Sequence, residues 1–218
     1  MIKRGDILIV ATRNRGKTAE FREAFSKLGV EVQDLSDRAD LPQVEETGAT
    51  FAENSLLKAR SAAELLGLPV LADDSGLCVD ALGGAPGVYS ARYAGEHASD
   101  ADNNAKLLRE LAALPRESDA GSSAGGTPEH YGSARFVSAL TLYFPDGREM
   151  LEAEGAVEGR ILASPRGAGG FGYDPLFWLP EYARSMAELT TAEKNAISHR
   201  GRALRHLLQR IGDSMPIS

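Results

Sequence analysis

LPVLADDSG, residues 68–76, is the stretch that decides how this chain folds. It follows Gly67, a helix stop, and its four small or branched apolar residues PVLA read as a short buried strand. The strand ends in two acids, Asp73 and Asp74, followed by Ser75 and Gly76. Like charges side by side at a sheet edge repel, and they resist joint ionisation unless a cation, N–H donors or water relieves them. A hard divalent metal with oxygen ligands is the usual relief, and a metal at a strand end usually does chemistry. An Asp-rich turn that caps the strand accounts for the same residues.

Outward from that stretch, strand and helix signals alternate. Thr50 and Glu53 form a capping box that opens a helix running to about Leu66. DILIVAT, residues 6–12, is a short apolar strand, and Phe21, Ala24, Phe25 and Leu28 then recur at helical spacing up to Gly29. Residues 30–35 can form the next strand. Downstream, 103–114 reads as a helix stopped by Pro115, and 134–144 as a long strand turned by Pro145-Asp146-Gly147 into a second at 148–157. The last helix begins near Ser198, with Ala203, Leu204, Leu207, Leu208 and Ile211 on one face. Helices between strands plus one hairpin predict an α/β fold with a mixed sheet, in a single domain over 1–218. Residues 117–132, rich in Ser, Gly and Ala, read as a flexible surface insertion.

Composition excludes several classes. No apolar run approaches the ~20 residues of a membrane span, so no membrane partner is expected. The net charge of −7 argues against a nucleic-acid surface. The single cysteine, Cys78, leaves no disulfide to form within the chain and fits a reducing, cytoplasmic setting. Lying between Leu77 and Val79, it reads as a small core residue.

Four groups of residues then carry chemistry. Thr12, Arg13, Asn14, Arg15, Gly16 and Lys17 lie between a strand end and a helix start, where free N–H groups and the dipole favour an anion. This is a phosphate cradle in outline, one residue (Ala11) short of a nucleotide-binding P-loop. In the second helix, Lys58 falls inside the apolar arc of Phe51, Ala59, Ala62, Ala63, Leu65 and Leu66, with Asn54 at its edge, so it must snorkel, pair or meet a ligand. Glu45 and Glu46, just ahead, offer further carboxylates. GFGYDP places Phe171, Gly172, Tyr173 and Asp174 in a glycine-rich loop that could stack a base or form a plain turn. Lys194, His199 and Arg200 gather at the entrance to the last helix, where positive charge opposes the dipole, so something other than helix stability holds them.

These residues resemble, in order, the signature of the inosine triphosphate pyrophosphatase family, also called Ham1-like. The resemblance runs through ATRNRGK, EETGATFAENSLLKA, LADDSGLCVDALGGAPGVYSARYAG, GGFGYDPLF and LTTAEKNAISHRGRAL, and covers nearly the whole chain outside the insertion. It implies a long mixed sheet in two lobes around a central cleft, a homodimer, and Mg²⁺-dependent hydrolysis of ITP, dITP and XTP to the monophosphate and pyrophosphate. It further implies that Thr12 to Lys17 and Lys58 hold the triphosphate, with Lys17 also stabilising charge. Glu46, Asp73 and Asp74 would hold Mg²⁺, Asp74 activating water and Ser75 touching the substrate. Phe171, Gly172, Tyr173, Asp174, Lys194, His199 and Arg200 would read the base, Arg200 and His199 by donating to its 6-oxo group. Two other readings remain open: a P-loop NTPase releasing the γ-phosphate, and a nucleotide-binding module without turnover.

Overall fold

The computed structural model describes residues 4–36, 38, 41–42, 44–115, 128–147 and 150–213; positions 117–127 of the expected insertion lie outside them. The elements in chain order are β1 (Ile7–Val10), α1 (Arg15–Ser26), β2 (Glu31–Asp34), α2 (Phe51–Leu66), β3 (Val70–Val79), α3 (Asp100–Ala113), β4 (His130–Tyr143), β5 (Leu151–Leu162), β6 (Phe177–Leu179), β7 (Arg184–Ser185), α4 (Thr191–Ile197) and α5 (His199–Asp213). The strands form one seven-stranded sheet in the order β2-β1-β3-β4-β5-β6-β7. It is mixed: β1 pairs in parallel with β2 and β3, whereas β6 is antiparallel to both β5 and β7.

The chain divides into two compact units. The first comprises Met1–Ser75, Ser138–Ala156 and Asn195–Ser218; the second comprises Gly76–Val137 and Val157–Lys194.

In the first unit, successive strand residues feed opposite faces, as the pleat requires. Leu8, Val10, Leu71, Leu140 and Leu142 pack with Phe21 and Phe25 of α1 and with Ala203, Leu204 and Leu207 of α5. Ile9, Ala11, Val70 and Ala72 pack instead with Ala59, Ala62 and Ala63 of α2. Small alanines let α2 lie close on that face. Leu65, expected on its apolar arc, is 57% exposed, so the buried stripe is narrower than the projection suggested.

Helix ends follow the local chemistry. Thr50 and Glu53 make the reciprocal box that starts α2, and Gly67 ends it in the left-handed region at φ 65°. A second box, Ser99 with Asp102, starts α3 at Asp100, three residues before the expected start at 103. Ser198 Oγ accepts the Gly201 N–H at 3.1 Å and begins α5 as anticipated.

α5 also covers a stretch of β5 edge. Arg202, His206 and Arg210, spaced by four, donate to the carbonyls of Ala156, Glu154 and Glu152, spaced by two. Four helical residues rise about 6 Å and two strand residues about 6.6 Å, so the two ladders keep step. Edge carbonyls that would otherwise invite another strand are thereby occupied.

In the second unit, the Phe136 and Phe177 rings lie 4.5 Å apart, and Gly159 leaves the space that the Phe177 ring fills.

At Gly155 β5 lies directly against the backbone of α5. A Cβ there would run into the His199 carbonyl oxygen and the Ala203 nitrogen, backbone atoms that cannot rotate away. Gly155→Ala is expected to cost about 2–3 kcal/mol and to lower the thermal midpoint by about 5–10 °C. An unchanged midpoint in a calorimetric scan would contradict this packing.

Candidate active site

β3 does not end at its acids. The strand runs on through Asp73, Asp74 and Ser75 to Val79, which corrects the expectation of a strand that stops there with two carboxylates side by side. Alternation therefore sends the pair to opposite faces. Asp73 follows Leu71 towards α1 and α5, and Asp74 follows Ala72 towards α2.

Asp73 is fully buried and saturated with donors. Its Oδ2 takes Lys17 Nζ at 2.8 Å, Arg200 Nη2 at 3.0 Å and Ser75 Oγ at 3.1 Å, while Oδ1 takes Ser138 Oγ at 2.6 Å. Arg200, 1% exposed, turns Nη1 to the buried Glu20 and lies over the Phe21 ring. Two cations and two carboxylates thus make a charge-balanced quartet, buried but for part of Lys17, which explains why a basic residue tolerates the first turn of α5.

Burial alone would raise the Asp73 carboxyl, but Arg200, Lys17 and the Ser138 hydroxyl hold it well below the usual range. Lys17 moves the other way. Its burial, with Lys58 and Arg200 nearby, outweighs the attraction of Asp73 and lowers its ammonium.

On the α2 side the balance differs. Lys58 Nζ sits between Asp74 Oδ1 at 2.7 Å and Glu46 Oε1 at 3.0 Å. The position within the apolar arc is thus explained by pairing. Burial opposes the Lys58 charge, but Asp74 and Glu46 win and raise its pKa. Asp74 is itself raised, because burial is only partly offset by Lys58. Asn54 helps from both ends: Nδ2 lies 3.4 Å from Asp74 Oδ2, and Oδ1 accepts the Gly48 N–H at 2.8 Å, which docks the segment carrying Glu46. Any side chain at Gly48 would collide with Asn54 and Glu53.

The loop of Thr12 to Lys17 is self-organised. Thr12 Oγ1 accepts the Asn14 N–H at 3.1 Å, and Asn14 Oδ1 caps α1 by accepting from Gly16 and Lys17 at 2.9 and 3.1 Å. Arg13 donates to the carbonyls of Arg38 and Leu41, and Arg15 is exposed.

Within the second unit, GFGYDP folds around Asp174. Asp174 Oδ2 accepts the Phe171 N–H at 2.9 Å and pairs with Lys194 at 2.8 Å, both carboxylate and ammonium being buried. The Lys194 ammonium also lies 4.8 Å from the Phe171 ring centre. Tyr173 donates to the Ser90 carbonyl at 2.8 Å. Gly170, at φ 75°, leaves the room that Asp174 occupies.

Every residue singled out in the sequence therefore lies in one of these two units. Thr12, Arg13, Asn14, Arg15, Gly16, Lys17, Glu46, Lys58, Asp73, Asp74, Ser75, His199 and Arg200 are in the first; Phe171, Gly172, Tyr173, Asp174 and Lys194 are in the second. Glu20 and Ser138 were missed. Glu20 stands three residues after Lys17 on α1, a same-face spacing that could have signalled it. Ser138 gives no signal, being one of several polar residues in β4.

Arg200→Ala would leave Asp73 and Glu20 buried without their shared cation. The expected loss is about 3–5 kcal/mol, read from the urea midpoint. Unchanged stability would contradict the quartet.

The site's geometry can be set beside known proteins. The Ham1 family description matches residues 8–210. A dITP/XTP pyrophosphatase of Geobacillus kaustophilus is 53% identical over 92% of this chain and 91% of that protein. Another from Streptococcus thermophilus is 50% identical over 94% of this chain, which spans only 59% of that longer protein. Among solved structures, a HAM1 protein from Coxiella burnetii gives a TM-score of 0.79 at 42% identity, over 95% of this chain and 99% of that one.

Proposed function

The chain belongs to the Ham1 family, and on that premise we propose that it cleaves non-canonical purine nucleoside triphosphates between the α and β phosphorus. The activity is that of a dITP/XTP pyrophosphatase, a nucleoside triphosphate diphosphatase, as in the relatives at about half identity. ITP is the further substrate of this class, each yielding its monophosphate and pyrophosphate.

The observation that carries the chemical reading is the split between the two aspartates. Asp73 is consumed by Lys17, Arg200, Ser75 and Ser138, and it serves as the anchor that aims Lys17. Asp74 and Glu46 converge on one ammonium, that of Lys58, so two carboxylates lie close together on that side of the sheet. Such a pair suits Mg²⁺, which is typically held by one or two carboxylates and completes its shell with substrate phosphates and water. Among the described residues there is no group of three or more His, Cys, Asp and Glu arranged for a metal, in keeping with a site that the substrate itself completes. We therefore assign Mg²⁺ to Glu46 and Asp74, with Asp73 behind them. When bound, the ion supplies charge neutralisation on the phosphate oxygens and a more acidic water.

The chain's own groups do the rest. Lys17 and Lys58 put positive charge where negative charge grows on the phosphate oxygens. Asp74, kept partly basic by burial, takes the proton as water attacks the α-phosphorus; the bond to the bridging oxygen breaks and pyrophosphate leaves. Ser75 and the residues Thr12, Asn14 and Gly16 position the phosphates. Phe171, Gly172, Tyr173, Asp174 and Lys194 are assigned to the base. Arg200, with its guanidinium turned to Glu20, Asp73 and Ser75, is assigned first to holding Asp73; contact with a 6-oxo group by Arg200 or His199 comes second. A homodimer rests on the family resemblance alone. No helix among the described residues is long and apolar enough to cross a membrane.

Incubation with ITP, ATP and GTP in turn, with and without Mg²⁺, tests this reading by product analysis. The expected products from ITP are IMP and pyrophosphate, formed only with metal and at least ~100-fold faster than hydrolysis of ATP. IDP and orthophosphate would instead indicate the P-loop reaction.

A further inference from the structure

The glycine-rich loop of the second unit turns at Gly167, Gly170 and Gly172, which have φ of 82°, 75° and 59° and no Cβ to resist a change of backbone conformation. A loop of that kind recognises a ligand selectively only if something outside it fixes its shape.

For Gly172 that support comes from α3. Asp100 Oδ2 accepts the Gly172 N–H at 2.6 Å, and Asn104 Nδ2 donates to the Gly172 carbonyl at 3.0 Å. The two side chains are four residues apart on one helix, so they face the same way and hold one residue at both of its backbone polar groups. The Asn104 amide is oriented by that contact. Rotating it by half a turn would bring Oδ1 against the Gly172 carbonyl, and Oδ1 is buried without a hydrogen-bond partner among the described residues.

α3 is itself anchored. Asn103 Oδ1 accepts the Ala94 N–H at 2.8 Å and its Nδ2 donates to the Ala91 carbonyl at 3.2 Å, while Lys106 donates to the Tyr93 carbonyl at 2.8 Å. The neighbours of Gly172 are held separately, Phe171 by Asp174 and Tyr173 by Ser90. The peptide between the two aromatic residues is thus the part of the loop that depends on α3.

We propose that Asp100 and Asn104 are positioning residues for base recognition, acting through Gly172 to fix Phe171 and Tyr173 in the orientation that selects the purine. This rests on the assignment of that loop to the base. Neither residue needs to touch the substrate. Their loss lets the Gly172 peptide turn, which loosens the backbone between the two aromatic residues and weakens base binding while the phosphate-holding residues of the first unit are untouched.

The test compares Asp100→Ala, Asn104→Ala, the double variant and Asp100→Asn with the parent protein. Each is assayed for kcat and KM with ITP and ATP, for inhibition by pyrophosphate, and for thermal midpoint. Expected for each alanine variant are a KM for ITP about 5- to 20-fold higher, a kcat within about twofold and a smaller ITP-over-ATP ratio. Inhibition by pyrophosphate, which has no base, stays within about twofold. The double variant falls short of the product of the singles because both act on one peptide, and Asp100→Asn, which still offers an acceptor oxygen, recovers most of the loss. Parental KM and selectivity in both alanine variants would overturn the proposal. So would a loss of kcat, pyrophosphate inhibition and thermal midpoint together, since that marks a merely structural role. Absence of ITP turnover in the parent itself would overturn the functional reading, and this inference with it, before any variant is compared.

Discussion

Asp73 lies inside a sheet with no exposed side-chain surface, and an ionised carboxylate there costs several kcal/mol unless it is paired and fully hydrogen-bonded. Much of the first unit is arranged around that requirement. α1 brings Lys17 and Glu20, α5 brings Arg200, and β4 brings Ser138 to the same carboxylate or its partner. A change in the register of β3 by one residue would exchange Asp73 and Asp74 between faces and break both sets of pairs. The quartet therefore fixes strand register and orients Lys17 in the same stroke.

Strand alternation turns two identical residue types into two different groups. On one face, Asp73 is locked in the ionised state by cations. On the other, Asp74 is raised by burial and shares one lysine with Glu46. One carboxylate is enclosed by cations and hydroxyls, and the other lies beside a second carboxylate, an arrangement whose like-charge repulsion a cation relieves.

Much of this was legible in the chain. The capping box at Thr50 and Glu53, the stops at Gly29 and Gly67, and the start of α5 at Ser198 are local chemistry, and local chemistry is written in adjacent residues. The family signature named the candidate site residues. What could not be read was the direction of side chains. Asp73 and Asp74 looked like a side-by-side pair because the strand was expected to end before them; the buried counter-charges that let β3 continue come from α1, α2 and α5, up to 127 residues away. The pairing of Arg200 was hidden for the same reason: its partners Glu20 and Asp73 are remote in sequence. α3 begins earlier than the expected 103 because its first turn, Asp100 to Asp102, is set by the cap at Ser99. The short β6 and β7 and the seven-residue α4 carry too few residues for any periodicity to register.

The direct test of this account is a comparison of Asp73→Asn with Asp74→Asn, each measured for urea unfolding and for ITP turnover. The account predicts that Asp74→Asn unfolds near the parental midpoint while turnover drops ~10²–10⁴-fold. It predicts that Asp73→Asn loses about 3 kcal/mol or more of stability, because Arg200 and Lys17 are left without their shared anion. If Asp73→Asn were as stable as the parent, or if Asp74→Asn kept its activity, the division of labour between the two aspartates would be wrong.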